Sequence, residues 1–497
     1  MPAITTILPP AGAVVALLLL SAYFGISAIL SYRKLKQFQG PVFAGTSKLW
    51  LFWQSVNARV VQAEWDALAK YGTPARIGPS LLITDDADLV RHMNAPGSKW
   101  TRGAWYDGMR LDPGHDHVFS TRDEAIHADL RSKEIGGYNG RDVDNLESDL
   151  DLRITDLLEL VRHSYKDKPL DIAEVARYFT LDVLSTIAFG RPFGFMSANS
   201  DLWDYGKANA SFLPMLELII NHPTVQWLIA TPLMQKLAAP RHTDTTGIGA
   251  ALGFARRAVA ERFQNVKSAR KKDMLNHFMN KGLTQEQCEN EAHVQIIAGS
   301  DSTTTILRCT LFLLISNPVA YGKLRAEIDQ AANDGSLSYP IANYASVQKL
   351  PYLSAALWEG LRMFPPLAGL KAKLVPPGGD TFKDVFYPEG TEVGLCDDAM
   401  CRKREIFGDD AQFYRPERWI EVGQDERVVF QRTVDSIFGT GRFQCLGRHI
   451  AMMELHKTLV ELIRNFDWSI ADPFAGVPTT IHAVTLHRNM NVIARAR

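Results

Sequence analysis

The hydrophobic and polar positions of this chain fall into a few long patterns. From Ala11 to Ser31 the sequence reads AGAVVALLLLSAYFGISAILS, without a single charge. As a helix rising about 1.5 Å per residue, this run would be roughly 31 Å long, close to the hydrocarbon thickness of a bilayer. Arg33, Lys34 and Lys36 follow it, and no Lys or Arg comes before it. That charge order predicts an uncleaved anchor with its C-terminal side in the cytosol; a cleaved signal peptide would start with basic residues. Residues 1–10 are then a short lumenal terminus and 11–31 a transmembrane anchor. Residues 32–45 form a basic hinge broken by Gly40-Pro41, and 46–497 form one main domain.

Within that domain, residues 143–163 and 250–265 show apolar positions at helical spacing. The longest such pattern runs over 284–317, about 48 Å as a helix. Thr284 and Gln287 predict a capping box at its start, and Pro318 is expected to stop it. Short alternating stretches at 370–375, 385–395 and 481–494 predict strand pieces, with Pro388-Glu389-Gly390-Thr391 as a turn. The expected fold is mainly α with a small β portion.

Composition changes this picture little. Hydrophobic residues make up 46% and charged residues 22%, a globular balance, and 54 basic residues face 55 acidic ones. Such a chain carries no electrostatic footprint for nucleic acid. Its five cysteines do not form a disulfide framework. Cys396 and Cys401 are spaced more widely than a zinc knuckle and have no second pair, so they read as ordinary thiols. Asn209-Ala210-Ser211 is a glycosylation sequon, which a cytosolic domain would leave unmodified.

Candidate chemistry sits where the patterns break. In the middle of the longest helix stands AGSDSTTT, residues 298–305. Gly299 costs a helix interior about 1 kcal/mol relative to Ala. Asp301 is an acid among Ile296, Ile297, Ile306 and Leu307, with hydroxyl residues in the next turn. This predicts a widened groove with an acid and hydroxyls facing a cavity, able to bind a small molecule and pass protons. In ALWEGLRMFPP, Glu359 and Arg362 stand three apart and share a helical face. FYRPERW then places Arg418 in a loop. Finally, FGTGRFQCLGRHIA sets Cys445 among glycines, just before apolar helical spacing at Leu446, Ile450, Met453, Val460 and Ile463. A cysteine near a helix N-terminus has its thiolate stabilised by the dipole and free N–H groups.

Taken together and in this order, the four stretches resemble the cytochrome P-450 family of haem-thiolate monooxygenases, and the resemblance covers essentially the whole chain. It implies that the cofactor is haem b, with the Cys445 thiolate as axial ligand of the iron, a ligand that favours O–O cleavage. It makes Asp301, Ser302 and Thr303 a proton relay, with Ser302 where the family usually has threonine. Phe438, Gly439, Gly447 and Gly299 become cofactor-binding positions, the glycines letting backbone approach porphyrin and sulfur. Glu359, Arg362 and Arg418 become a structural charge triad. Arg131 in HADLR would meet a haem propionate, with His127 in the place of a common tryptophan. Arg442 is a second candidate for a propionate, although Phe443 holds the position where the family carries Arg or His.

The stretch DPGHDHVFSTRDEAIHADLR also resembles fungal microsomal members, those that tailor secondary metabolites and the pisatin demethylase-like enzymes. The implied function is insertion of oxygen from O2 into an apolar small molecule. Electrons would come from NADPH through a separate reductase, with cytochrome b5 a further partner, at the endoplasmic reticulum membrane. Substrate contacts would come from 100–120, 211–234 and 365–370. Three alternatives stand beside this reading: a detoxifying hydroxylase or demethylase, a haem-thiolate isomerase or dehydratase that needs no O2, and a non-enzymatic haem or lipid binder on the membrane.

Overall fold

The computed structural model describes residues 10–110, 112, 114–140, 143–264 and 273–497. Most of the expected lumenal terminus lies outside them. A first helix, α1 (Pro10–Lys34), covers the uncharged run and ends on Arg33 and Lys34. Among the described residues, no single helix is long and apolar enough to cross a membrane. The stretch expected to be a hinge is packed against the domain. Leu35, Phe38 and Ala44 are buried there. The Arg76 guanidinium donates to the carbonyls of Ser31, Tyr32 and Gly45, which tie the segment down.

The main body is a stack of helices with small sheets at its edges. Its helices include α2 (Leu49–Val56), α3 (Glu124–Tyr138), α4 (Leu146–Ser164), α5 (Ile172–Phe189), α6 (Tyr205–Asn221), α7 (Gly247–Gln264), α8 (Gln285–Ile315), α9 (Pro351–Met363) and α10 (Arg448–Asn465). The predicted periods at 143–163 and 250–265 correspond to α4 and α7, with residue 265 outside the described residues. Central α8 starts as its sequence dictates. Gln287 N–H donates to Thr284 Oγ1 at 3.2 Å, and Thr284 N–H donates to Gln287 Oε1 at 3.0 Å. Pro318 does not simply stop a helix; it is the first residue of the next one, Pro318–Asn333, where its missing N–H costs nothing.

Helix α8 packs against α5, α7, α9 and α10, and so threads the core. Its apolar neighbours Ile296, Ile306, Leu307, Leu311 and Leu314 are all buried. Burying one such side chain stabilises by about 1.5–3 kcal/mol relative to exposure. This packing, more than intrinsic propensity, holds the helix around its polar middle.

The largest sheet has five short strands: β1 (Ala75–Arg76), β2 (Leu81–Thr84), β3 (Thr101–Arg102), β4 (Lys373–Leu374) and β5 (Glu392–Leu395), in the order β1-β2-β5-β4-β3. β5 runs parallel to β2 and antiparallel to β4. The 388–391 turn is present, but Val385–Tyr387 before it pairs with Asp380–Phe382, so the turn joins two different sheets. A hairpin of β6 (Thr479–Ile481) and β7 (Thr485–His487) lies near the C-terminus. The antiparallel register of β3 and β4 sets Arg102 directly opposite Lys373.

Candidate active site

A cavity of about 830 Å³ opens between the middle of α8 and the loop before α10. The α8 wall presents Ala298, Gly299, Asp301, Ser302 and Thr303, and the loop wall presents Phe438, Gly439, Phe443, Cys445 and Gly447. All three segments expected to touch substrate contribute apolar lining: Phe119 from the first, Phe212, Leu213 and Leu216 from the second, Pro366 and Leu367 from the third. The β6–β7 turn adds Ala483 and Val484, which pattern reading missed. The size and apolar character are those of a small-molecule site.

The cysteine loop is shaped by two glycines. Gly439 and Gly441 have φ of 73° and 60°, in the left-handed region. A Cβ on Gly439 would lie 2.6 Å from the Phe443 carbonyl oxygen, and one on Gly441 would lie 2.3 Å from that of Asn94. These residues permit a tight turn that returns Cys445 N–H to the Phe438 carbonyl at 2.6 Å.

Gly447 stands at the cavity beside the sulfur. Its φ is −77°, and a Cβ there would meet nothing closer than Cys445 Sγ at 3.9 Å, an ordinary contact. Gly447 serves as the N-cap of α10.

The Cys445 thiol is open to the cavity while protein encloses it on the other sides. Burial pushes its pKa up, opposed by the N–H groups of Gly447 and Arg448 and by the charges of Arg131 and Arg448. The helix-terminus stabilisation expected from sequence is therefore present, but it is outweighed by desolvation. A bound cation at the sulfur would reverse that balance, since metal coordination deprotonates a thiol outright.

Three cations gather where the cavity meets the cysteine loop. Arg131, on α3, donates to the Gln444 carbonyl at 2.6 Å. Arg102 gives one nitrogen to the carbonyls of Val118 and Thr121 but leaves its buried Nε without a partner. Lys373 is buried, its Nζ has no hydrogen-bond partner among the described residues, and it rests 3.0 Å from the centroid of the Phe443 ring. Burial, then the Arg102 charge, pushes the Lys373 amine well below the usual lysine range. His127 also lines the cavity, its ring 5.3 Å from that of Phe443. Burial first, then the charges of Arg102, Arg131, Lys373 and Arg442, lower its pKa to about 3.

Buried positive charge without an anion is costly. The donors left over here fit a ligand that carries carboxylates into the cavity, as the two propionates of haem would. The residues that would hold the group are Cys445 at the metal and Arg102, Arg131 and Lys373 at the carboxylates. Arg102 and Lys373 were missed in the sequence. Only the strand register that pairs them reveals the cluster. Arg442, a sequence candidate for the same duty, is committed elsewhere: Nε donates to Glu124 at 2.8 Å and Nη2 to the Trp100 carbonyl at 2.7 Å. It is not among the cavity-lining residues.

On the α8 wall, the helix is continuous through Gly299. A Cβ at Gly299 would lie 3.0 Å from Leu184 Cδ1, so the glycine eases close packing of α8 on α5. The expected widened groove is not what this glycine provides. Asp301 is buried, and its Oδ2 accepts from Asn209 Nδ2 at 2.5 Å. Burial raises its pKa, opposed by Arg177, the Asn209 amide and Arg308. Ser302 Oγ donates back to the Ala298 carbonyl at 2.6 Å. Thr303 also lines the cavity, whereas Thr304 bonds Thr180 on α5 at 2.6 Å and Thr305 accepts from Arg308. The hydroxyl cluster thus divides between cavity and packing.

The predicted charge triad is sealed away from the cavity lining. Glu359 and Arg362 are 0% exposed and Arg418 is 1% exposed. Glu359 accepts from Arg362 at 2.9 and 2.7 Å, Arg418 at 3.1 Å, Trp419 Nε1 at 2.8 Å and the Arg415 N–H at 2.9 Å. Arg362 also donates to the carbonyls of Cys401 and Ala411, and Arg418 to that of Phe407 and to Asp410. Arg418 opens a short helix, Arg418–Glu421, where sequence reading expected a loop.

A mainly helical body with a small-molecule cavity, a thiol at a helix N-terminus and a border of cations with donors left over fits a haem-thiolate type of protein. The chain belongs to the cytochrome P-450 family, whose model matches residues 104–490. It is 37% identical over 464 residues to the cytochrome P-450 monooxygenase ABA1 of Pyricularia oryzae, covering 91% of this chain and 90% of that protein. It is 34% identical over 466 residues to the monooxygenase aba1 of Botryotinia fuckeliana, covering 92% and 91%. Against the monooxygenase pkfB of Emericella nidulans it is 30% identical over 477 residues, covering 91% and 90%.

Proposed function

We propose that this protein is a haem-thiolate monooxygenase that oxidises an apolar small molecule, as a tailoring step in fungal secondary metabolism. The observation that carries the reading is one cavity bounded by the Cys445 thiol, by Asp301 with Ser302, and by the Arg102–Lys373 pair. When bound, haem would supply the oxygen chemistry: with O2 and two electrons it places one oxygen atom in the substrate and reduces the other to water.

The chain's own residues do the rest. Cys445 Sγ would hold the iron, and the three cations would orient the propionates. Apolar side chains from α6, the 365–370 segment and the β6–β7 turn exclude water and press the substrate into place. Asp301 would hold the proton needed for O–O cleavage on its carboxyl oxygen and hand it on through Ser302 Oγ. The Ser302 hydroxyl faces the cavity wall but gives its hydrogen to Ala298. To pass a proton the hydroxyl hydrogen must turn from that carbonyl, a rotation about the Cβ–Oγ bond.

Electron supply from NADPH through a reductase, and residence at the endoplasmic reticulum membrane, belong to the same proposal. The exposed apolar side chains Val42, Phe43, Leu49 and Trp53, near the end of α1, support membrane residence, as do Trp227, Leu233 and Leu237 after α6. Apolar clusters of this kind mark interaction surfaces.

The test is spectroscopic and chemical. The reduced protein with carbon monoxide should show the Soret position of thiolate-bound haem, and Cys445→His should abolish it. Asp301→Asn should keep that spectrum but slow product formation by about 10²-fold or more with a reductase and candidate substrates. A wild-type spectrum of histidine ligation would refute the cofactor assignment.

A further inference from the structure

Helix α6 turns one buried face toward the core, and Gly206, Asn209, Leu213 and Glu217 recur along it at helical spacing. Its two polar members reach two different elements. Asn209 Nδ2 donates to Asp301 Oδ2 on α8 at 2.5 Å, and Glu217 Oε2 pairs with His482 Nδ1 in the β6–β7 turn at 2.5 Å. Leu213, between them, lines the cavity. Both polar side chains are buried. The helix is therefore pinned at each end across the space a substrate would fill. At Gly206, a Cβ would lie 2.3 Å from Arg177 Nη2, so only glycine lets the Arg177 guanidinium settle beside α6.

We propose that Asn209 is a positioning residue for the proposed proton relay: its amide holds the Asp301 carboxyl in place and ties it to the seated position of α6. The inference rests on reading Asp301 as the relay acid. The groups that face this acid are Arg177 from α5, Arg308 from α8 itself, and Tyr205 and Asn209 from α6. Of these, Asn209 reaches it with a hydrogen bond, and one turn further along the same face of α6 stands Leu213, which lines the cavity. When α6 is seated, the amide donates to the charged carboxylate and favours that form. The seated position of α6, which sets Leu213 at the cavity, therefore also sets the amide against the acid and tunes its proton affinity. The sequon reading of Asn209 misses this, because its side chain is buried and already bonded.

The experiment uses the haem-loaded protein. Isotope-edited infrared spectra of aspartate-labelled enzyme follow the Asp301 carboxyl band, which Asp301→Asn assigns by removing it. In Asn209→Ala the band should titrate at higher pH than in wild type, and product formed per NADPH should fall roughly tenfold. Asn209→Gln, which keeps the amide, should restore part of both. Asn209→Asp keeps the shape but sets a second carboxyl against the first, and it should raise the titration further. It serves equally if the alanine variant fails to take up haem. An unmoved band in Asn209→Ala or Asn209→Asp overturns the inference. Loss of product in Asp301→Asn together with an unmoved band overturns this inference alone, whereas full activity in Asp301→Asn overturns the relay reading on which it rests.

Discussion

Two of the buried charge clusters among the described residues are built on opposite principles. Around Glu359, every strong donor of Arg362 and Arg418 finds a carboxylate or a backbone carbonyl. Around Phe443, Lys373 Nζ and Arg102 Nε are buried with no partner. A satisfied network holds its own fold together and asks for nothing further. An unsatisfied one raises the free energy of the ligand-free protein, and a ligand of opposite charge offsets that cost. The first cluster therefore reads as architecture and the second as a binding site, although both are built around buried cations.

Breaking the satisfied cluster should have the largest effect. Glu359→Gln keeps the shape but leaves Arg362 and Arg418 short of their central counter-charge, a change that costs about 3–5 kcal/mol. Chemical denaturation should show that loss, with little haem-loaded protein recovered. Recovery of stable protein at wild-type yield would erase the distinction between the two clusters.

Removing a charge from the unsatisfied cluster should do the reverse in the haem-free protein. Lys373→Met deletes a buried unpaired amine and should raise ligand-free stability by about 1 kcal/mol or more. Haem affinity should fall, by roughly tenfold, because a charge-assisted contact is lost. Titration of the haem-free protein with haem measures the second effect. Parallel losses in stability and affinity would mean that Lys373 is an ordinary core residue.

A further effect, seen only as the pH is lowered, is expected at His127. Its folded pKa is lowered to about 3, against about 6.5 in an unfolded chain. As pH falls below about 6.5 the unfolded chain binds the proton first. The stability that this neutral imidazole contributes is then full above that pH and is lost progressively toward pH 3. His127→Phe should make the acid decline of haem-free stability shallower, as read by denaturation at a series of pH values. An unchanged slope would place the effect at other histidines.

How much of this was legible in the chain depends on the range over which each feature is encoded. The capping box of α8 was legible because Thr284 and Gln287 satisfy each other within one turn. Cys445 and the Glu359–Arg362 pair were legible because their surroundings are local in sequence. Arg102 and Lys373 were not, since they are far apart in the chain and carry no motif. The two-residue strands that align them are too short to give an alternating pattern. Gly299 both lines the cavity and packs on Leu184, and the local pattern does not tell which neighbour a helix glycine serves.

By itself, then, the sequence determined the helical periods, the mainly α composition with its small strands, and the presence of a thiol, an acid and the Glu359–Arg362 pair. Each depends on residues close enough to constrain one another through backbone geometry, whereas Arg418 joined that pair only through the family resemblance. Tertiary structure alone decided which charges are left unpaired, that Arg442 is held by Glu124 and backbone carbonyls, and that Asn209 reaches Asp301 from a different helix. Those outcomes depend on which surfaces meet when the helices pack, and burial then sets the energy of every polar group caught between them.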